Sequence, residues 1–600
     1  MCFSFLFCSL LTTFAVKTNK RLMRKSNYDK FPSTRTDGMA VIGWEKIVST
    51  LNEQWADEPV WAIDLYPGTY EEDFLAAFAK TGRKIIDTRT LMRPEEEIRQ
   101  LTERFITDDV LFGYMSNIRL HEYFDNSILQ IDGPCIIIGT GAAYIADKLS
   151  TLNSQLSTVP IAYADMARWE IQQRFRRHEV KALGIDNSQE EPSRQYKRGY
   201  FNDWNIADHY KDELMHSGRI QYWIDSNTRQ QPKMISDQQF RQGMERTVRS
   251  PFRVVPFFDP APWGGQWMKE VCDLPREQQN YGWCFDCVPE ENSLYLNLDG
   301  VLVEFPSQDL VLMFSRQLLG EQVWARFGKS FPIRFDFLDT MGGGNLSLQV
   351  HPTNEFFQRE FGMPYTQDES YYLLDAGEDA VVYLGLKEDI DERQMIKDLR
   401  AAQRGEISFP AEQYVNKSPA KKHDHYLIPA GTIHCSGHDS MVLEISSTPS
   451  IFTFKLWDWN RLGLDGKPRP INVERGKHVI QWNRTTEWVN RNIRNHFEVL
   501  HEEDGIMEER TGLHPNEFIE TRRHTFTRTV EHNTNGGVNV LNLVDGYEAV
   551  VESPEGKFEP FTVHYAETFI IPAWLGEYVI TPHGPSEGKA CMTIKAYVRT

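Results

Sequence analysis

The stretch Leu346–Pro352, which reads LSLQVHP, and the stretch Pro429–His434, which reads PAGTIH, decide the fold of this chain. The first has the pattern of a β-strand. Residues two apart on a strand point to the same face, so Gln349 and His351 can aim at one point. The second reads as a strand end, a tight turn and a histidine that enters the next strand. Together they predict a β scaffold that brings amide and imidazole groups close to each other.

Glu369 lies between the two stretches and adds a carboxylate to the set. Two imidazoles, one carboxylate and one amide suit a borderline divalent metal such as zinc, with one coordination position left for water or substrate. We therefore expect one Zn²⁺ per chain. Each residue taken singly also has an ordinary explanation: His351 could be a surface strand residue, Gln349 could bond a neighbouring strand, and Glu369 could be solvated.

A length of 600 residues predicts two to four domains. The composition, with 40% hydrophobic and 25% charged residues, is ordinary for a globular protein. A net charge of -20 argues against nucleic acid or an anionic membrane as the main partner, although a local basic pocket for a phosphate remains compatible with it. Eight cysteines do not make a disulfide framework. We interpret the lone pair Cys284 and Cys287 as two cysteines on a strand or turn rather than as a redox or metal motif.

The N-terminus carries an uncharged, apolar-rich run over residues 2–16 that is followed by lysines and arginines. A signal peptide has its positive charge before the apolar run, and fifteen residues are short for a membrane span. We expect residues 1–27 to be a leader that is disordered or a start-site artefact, with translation starting at Met23. An uncleaved anchor is the alternative. We expect the protein to be cytoplasmic, with no membrane partner.

Residues 28–250 alternate short apolar runs, such as Val60–Tyr66 and Cys135–Gly139, with amphipathic helical patterns, such as Asp203–His216. This alternation predicts an α/β domain whose parallel sheet is covered on both faces. After residue 250 the pattern changes to strands and Gly/Pro turns, which is typical of an all-β sandwich or barrel. We expect a metal-binding β domain over 251–490, with a helical insertion near 388–404, and a second, related β domain over 491–600.

From about residue 257 to residue 600 the chain contains six telling motifs: WGG at Trp263–Gly265, LSLQVHP, DESYYLLD at Asp368–Asp375, PAGTIH, MVLEIS at Met441–Ser446, and the Trp457–Arg461 segment. In these motifs it resembles the type I phosphomannose isomerases, which are zinc enzymes of the cupin superfamily. The resemblance implies a double-stranded β-helix fold and zinc ligands at Gln349, His351, Glu369 and His434. It also implies aldose–ketose isomerisation of a hexose phosphate, most specifically of mannose 6-phosphate to fructose 6-phosphate.

The same resemblance places Glu444 at the family's active-site glutamate, and puts Lys455 where the family has an arginine. Both are therefore catalytic candidates. Lysine keeps the positive charge but lacks the planar fork that binds phosphate bidentately. Arg461 and Arg334 are the candidates for substrate binding.

Two further positions depart from the family pattern. Gln367-Asp368 replaces a Lys-Thr pair, and Asp336 replaces a lysine. These lost cations leave two alternatives open. One is an isomerase of another, non-phosphorylated sugar, and the other is a metal-containing sugar-binding regulator without turnover.

The stretch Cys135–Lys148, CIIIGTGAAYIADK, reads as strand, glycine-rich turn and helix. Such a turn can cradle a phosphate on the helix N-terminus. It lacks the Gly-Lys-Ser/Thr of a phosphate loop, and Tyr144 stands where a dinucleotide fingerprint has its third glycine. We interpret it as a packing turn in a domain that resembles a nucleoside kinase without its phosphate loop. A bifunctional protein with a nucleotide-binding N-terminal domain is the alternative.

Overall fold

The computed structural model describes residues 25–109, 111–125, 133–152, 159–447, 452–462, 469 and 471–600. Most of the predicted leader lies outside these residues. Its last few residues are packed, because Ser26 Oγ donates a hydrogen bond to the carbonyl of Val271 and Asn27 Nδ2 donates to that of Tyr547. Among the described helices, none combines the length and apolarity that crossing a bilayer requires.

A seven-stranded sheet organises the first 250 residues, and its strand order is β2-β8-β7-β6-β3-β5-β4. The five strands β3 to β7 are parallel, and at one edge β8 is antiparallel to β7 and β2 is antiparallel to β8. All positions of β3, β5 and β6 are buried, which explains their continuous apolar sequences. The strands are β1 Ser33–Thr36, β2 Val41–Ile42, β3 Val60–Leu65, β4 Lys84–Asp87, β5 Cys135–Gly139, β6 Ile161–Asp165, β7 Ile220–Asp225 and β8 Lys233–Ser236. The helices are α1 Trp44–Gln54, α2 Glu71–Phe78, α3 Glu95–Ile106, α4 Ala142–Leu152, α5 Arg168–Arg176, α6 Pro192–Arg198, α7 Trp204–His216 and α8 Asp237–Val248.

Two sheets of antiparallel strands form the β unit that follows, with six strands in the order β18-β15-β20-β13-β10-β9 and five in the order β17-β16-β19-β14-β21. The predicted helical insertion near 388–404 is helix α13. The strands are β9 Phe257–Asp259, β10 Trp283–Cys287, β11 Ser293–Leu298, β12 Val301–Pro306, β13 Ile333–Asp339, β14 Leu348–Val350, β15 Glu369–Ala376, β16 Val381–Leu386, β17 Val415–Pro419, β18 His425–Ile428, β19 His434–Ser436, β20 Ser440–Ser447 and β21 Phe454–Trp457. The helices are α9 Trp267–Val271, α10 Ser307–Leu319, α11 Glu321–Phe327, α12 Asn354–Phe361, α13 Glu392–Gln403, α14 Ala411–Tyr414, α15 Val473–Gly476 and α16 Thr486–Asn492.

The last hundred residues form a second β unit of the same kind, with sheets ordered β22-β23-β24-β31-β26-β29 and β25-β30-β27-β28. Alternating burial along β25 and β30 shows one face of each strand turned inward. The strands are β22 Glu498–Glu503, β23 Ile506–Gly512, β24 Ile519–Phe526, β25 Val530–Asn533, β26 Asn539–Asp545, β27 Glu548–Glu552, β28 Phe561–His564, β29 Thr568–Ile571, β30 Glu577–Pro582 and β31 Cys591–Val598.

The α/β region and the first β unit are joined by more than a linker. Strand β1 pairs in parallel with β11, which in turn pairs with β12, so a three-stranded sheet contains residues from both sides of position 250. Buried Lys211 of α7 forms ion pairs of 2.9 Å with Asp165 and 2.6 Å with Asp309 of α10. The domain boundaries at 250 and 490 stay predictions, and these contacts show that the segments on either side of 250 pack as neighbours.

A cluster of aromatic side chains packs the α/β region against the core of the first β unit. Phe112 stacks on Phe452 with ring centroids 5.5 Å apart, and Phe201 meets the same ring edge-on at 5.7 Å. Phe112 and Phe201 are both buried within the hydrophobic core that contains strands β14 and β21. Removing either ring would therefore open a cavity in the β unit as well as in the α/β region.

The pair Cys284 and Cys287 lies on strand β10, and both thiols are free and buried. Burial raises the pKa of each thiol well above its ordinary value, so neither forms the reactive thiolate at neutral pH. These cysteines act as small apolar residues in the core.

Candidate metal centre

Strand register places the candidate residues on facing sides of the first β unit. On the six-stranded sheet, Glu369, Ser446 and Arg334 are direct neighbours on β15, β20 and β13. Residues directly opposite one another in a sheet point to the same face. The adjacent row, two residues along, consists of Tyr371, Glu444 and Asp336.

The five-stranded sheet supplies the other side of the centre. Gln349 on β14 lies between His434 on β19 and Lys455 on β21, in register with both. His351 follows two residues after Gln349, at the end of β14, and is likewise buried. The interior of this β unit thus collects all four of the predicted metal ligands together with Glu444 and Lys455.

Three of the predicted ligands converge closely. The Nε2 atom of His434 lies 2.6 Å from one oxygen of Glu369, and the Nε2 atom of His351 lies 3.1 Å from the other. The three ligand atoms lie within 4.8 Å of one another, and all three residues are buried. This spacing and donor set fit a divalent ion held by two imidazoles and a carboxylate.

Both histidines are oriented by backbone carbonyls. Nδ1 of His434 lies 2.9 Å from the carbonyl oxygen of Thr432, and Nδ1 of His351 lies 3.3 Å from that of Phe452. A carbonyl only accepts hydrogen bonds, so each Nδ1 carries a proton, and each Nε2 is the nitrogen left to face Glu369 or a metal. Such fixing of the ring by its second nitrogen is typical of metal-binding histidines.

Gln349 lies beside the triad that His351, Glu369 and His434 form. Its amide nitrogen lies 3.2 Å from Nε2 of His434. The two ends of an amide are assigned from the hydrogen-bond network, and a half-turn would bring its oxygen to the same place. The oxygen is the end that could bind a metal, so Gln349 is within reach as a fourth ligand.

The electrostatics of the triad favour an ionised carboxylate. Burial would raise the pKa of Glu369, but His351 and His434 outweigh it and lower that pKa well below its usual range. Burial likewise opposes protonation of His351, yet Glu369 raises the pKa of its imidazole. Buried Nε2 of His351 and Oε1 of Glu369 make no hydrogen bond of good geometry with the described residues. A cation between these atoms would satisfy both.

Gln367 has a role that the sequence did not reveal. Its buried amide nitrogen lies 3.1 Å from Oε2 of Glu369 and 3.2 Å from Oε1 of Glu444, so one amide donates to both carboxylates. Burial, followed by the charges of Glu369 and Asp336, raises the pKa of Glu444 well above its ordinary value. The sequence identified Gln367 only as the residue that replaces a lysine of the family pattern.

Tyr371 was also missed, although the alternation of strand β15 places it on the same face as Glu369. Its ring meets His434 edge-on at 5.7 Å, and its hydroxyl is buried. The signal that could have identified it is its spacing of two residues from the ligand glutamate on a strand.

The three predicted cations lie in different surroundings. Lys455 is adjacent to Gln349, and burial, followed by the charge of Arg469, lowers the pKa of its ammonium group. Arg334 is fully buried, 3.6 Å from Asp336 and 3.5 Å from Glu290. Arg461 is held in an ion pair of 2.7 Å with Asp458. The structure therefore brings Lys455 to the predicted ligands and engages Arg461 with another side chain.

The glycine-rich turn of the α/β region is filled by a side chain of the protein itself. Asp64 on β3 accepts hydrogen bonds from the backbone N–H of Gly141 at 3.0 Å and of Ala143 at 2.8 Å. Tyr210 donates to the same carboxylate at 2.7 Å. An internal anion thus occupies the helix N-terminus where a phosphate would bind. This contact favours the interpretation of Cys135–Lys148 as a packing turn.

Comparison with known proteins gives two separate kinds of match. A family model described as a domain of unknown function (DUF8485) matches residues 43–249. The chain is also similar to the mannose-6-phosphate isomerase of Streptococcus mutans, with 27% identity over 222 residues, which are 36% of this chain and 64% of the relative. Mannose-6-phosphate isomerase ManA of Bacillus subtilis is 25% identical over 232 residues, which are 38% of this chain and 68% of the relative. The matches thus span about two thirds of these relatives, and they confirm the resemblance indicated by the motifs.

Among solved structures, the mannose 6-phosphate isomerase from Bacillus subtilis matches with a TM-score of 0.47 and 16% identity, over 58% of this chain and 100% of that one. A putative mannosephosphate isomerase from Archaeoglobus fulgidus matches with a TM-score of 0.44 and 17% identity, over 58% of this chain and 98% of that one.

Proposed function

We propose that the protein is a metal-dependent aldose–ketose isomerase that interconverts mannose 6-phosphate and fructose 6-phosphate in the cytoplasm. The observation that carries the proposal is the convergence of His351, His434 and Glu369, with both Nδ1 atoms tied to carbonyls and both Nε2 atoms turned to the carboxylate. The similarity to curated mannose-6-phosphate isomerases supplies the reaction class.

The proposed metal is zinc, held by His351, Glu369, His434 and the oxygen end of Gln349. When bound, the ion supplies a Lewis acid that polarises the carbonyl and hydroxyl oxygens at carbons 1 and 2 of the sugar. Because metal binding by histidine needs a neutral imidazole, the metal affinity falls in acid.

Glu444 is the proposed base. It is buried beside Glu369 and Asp336, and the donor amide of Gln367 fixes its orientation. In its ionised form the carboxylate takes the proton from carbon 2 of the aldose and returns it to carbon 1, while the hydroxyl proton on oxygen 2 is transferred to oxygen 1. The products of this exchange are the ketose and the regenerated carboxylate.

Lys455 is the proposed charge-stabilising residue. It lies next to Gln349, and burial, followed by the charge of Arg469, lowers the pKa of its ammonium group. From this position it can donate a hydrogen bond to a sugar oxygen as negative charge develops there.

The test is a coupled isomerase assay on zinc-loaded protein together with a metal analysis of variants. His351→Ala and His434→Ala should each lose zinc and activity, whereas Glu444→Gln should keep zinc and lose at least about 100-fold in kcat. His478→Ala, which changes an exposed histidine, is the matched control and should behave as wild type. Zinc retention by both ligand variants would show that the ligand assignment is wrong.

A further inference from the structure

A cavity of about 460 Å³ lies between the α/β region and the first β unit. Helices α5 and α7 of the α/β region form one wall, and helices α10 and α11 with the segments that follow α11 and α12 form the other. Its volume falls within the range of cavities that bind small molecules. The wall residues that matter below are Arg168, Asp212, Glu290, Arg326, Lys329 and Tyr365.

One wall residue of this cavity, Glu290, lies against a buried guanidinium group that makes no hydrogen bond of good geometry with the described residues. Glu290 lines the cavity and lies 3.5 Å from Nη1 of Arg334. Arg334 is fully buried, and none of its three side-chain nitrogens donates a hydrogen bond to a described residue. Five N–H donors held in this way are costly to bury unless oxygen atoms accept from them. Arg334 therefore points to a ligand rich in oxygen.

Arg334 also links the cavity to the candidate metal centre. Its Nη2 atom lies 3.6 Å from Asp336, which is the direct strand neighbour of Glu444. Glu444 is connected to Glu369 through the amide of Gln367. A ligand that entered the cavity and reached Arg334 would thus lie beside the carboxylates that surround the proposed metal.

The outer end of the cavity carries cations. Arg326 packs over the ring of Phe518 at 4.9 Å and forms no ion pair with another described residue. Lys329 is bound by both oxygens of Asp212, at 2.6 and 2.7 Å, and Arg168 is bound by Asp208 at 2.5 Å. The cavity wall also carries Asp208, Asp212 and Glu290, so it has as many carboxylates as lysines and arginines, and Arg326 is the cation of this wall that no described carboxylate pairs.

We infer that this cavity is the substrate chamber of the isomerase, with the phosphate end of the sugar phosphate at Arg326 and Lys329 and the sugar end at Arg334. The inference rests on the function proposed above and extends it in two ways. It supplies the cations that the family positions lack, and it assigns a wall of the binding site to helix α7 of the α/β region. Asp212 then acts as a competitor of the phosphate for Lys329.

The test measures binding of mannose 6-phosphate to zinc-loaded, full-length protein by calorimetry, alongside the coupled assay. Lys329→Ala and Arg326→Ala should each weaken binding and raise KM at least about 10-fold, with zinc content, kcat and melting temperature near those of wild type. Asp212→Asn should change binding in the opposite direction, since it releases Lys329 from its ion pair. Lys397→Ala, an exposed lysine of α13, is the matched control and should have no effect.

The outcomes separate the two claims. Unchanged affinity in Lys329→Ala and Arg326→Ala, or stronger binding in either, would overturn the chamber even if wild type turns over the substrate. Binding that depends on both cations without any turnover would support the chamber and refute the isomerase. Absence of binding to wild-type protein would overturn the chamber as well.

Discussion

Gln367→Met replaces an amide that donates to two buried carboxylates with an apolar side chain of similar length. The two hydrogen bonds, 3.1 Å to Glu369 and 3.2 Å to Glu444, have charged acceptors, and such bonds contribute about 1.5–3 kcal/mol each. Glu369 keeps its two histidines, so we expect the lower end for the pair, about 3 kcal/mol of stability in the metal-free protein. An orienting residue of this kind typically changes metal affinity by about 10- to 100-fold.

Two assays measure the effect of Gln367→Met. Competition with a chelator should show zinc bound about 10- to 100-fold more weakly. Loss of a donor to the ionised form raises the pKa of Glu444 further, so the acid limb of the pH–rate profile should move to higher pH. Gln358→Met, at an exposed position of α12, is the control. Wild-type zinc affinity together with an unshifted acid limb would refute the bridging role of Gln367.

Three other changes test the rest of the structure. His425 is buried, and burial, followed by the charge of Arg523, lowers its pKa to about 3. The unfolded chain takes up a proton on this residue below about pH 6.5 and the folded protein does not, so wild-type stability falls with pH, and His425→Gln should remove about 2 kcal/mol of that loss at pH 5. Equal pH dependence of the wild-type and variant denaturation curves would contradict this. Phe112→Ala should cost about 3–5 kcal/mol by denaturant unfolding, whereas exposed Phe31→Ala should cost little; equal losses would show that the interdomain aromatic cluster is not a packed core. Asp64→Ala should destabilise the α/β region by about 1–2 kcal/mol, because two backbone N–H groups of the α4 turn lose their acceptor, and unchanged amide exchange at Gly141 would argue against the cap.

The sequence was informative about the metal centre because strand alternation and a short turn determine where the ligands point. Gln349 and His351 are two residues apart on a strand, and His434 enters β19 directly after its turn, so a local pattern was enough to propose three of the predicted ligands. Glu369 required the resemblance to a family, because a single glutamate carries no signal of its own.

The remaining features depend on contacts between distant segments, which no local pattern encodes. Gln367 bridges two carboxylates only because β15 and β20 pair in the register that the structure shows. Asp64 reaches the α4 turn because β3 and β5 are parallel neighbours. The cavity at Lys329 exists only where helix α7 packs against a segment more than a hundred residues away. Composition and periodicity cannot reveal such pairings.

The α/β region contacts a residue of the first β unit that orients one of the predicted metal ligands. The carbonyl of Phe452 holds Nδ1 of His351, and the ring of Phe452 packs against Phe112 and Phe201. A displacement of the α/β region would therefore reach the orientation of a proposed metal ligand through one residue. This contact gives the α/β region a physical connection to the metal centre that is independent of any nucleotide.

Titration of Zn²⁺ into metal-free protein, while the conversion of mannose 6-phosphate to fructose 6-phosphate is followed, tests the central claim most directly. The proposal predicts activity that rises in proportion to added zinc, saturates at one ion per chain and disappears on addition of a chelator. Zinc-saturated protein that leaves mannose 6-phosphate unchanged, or turnover that a chelator does not reduce, would contradict it.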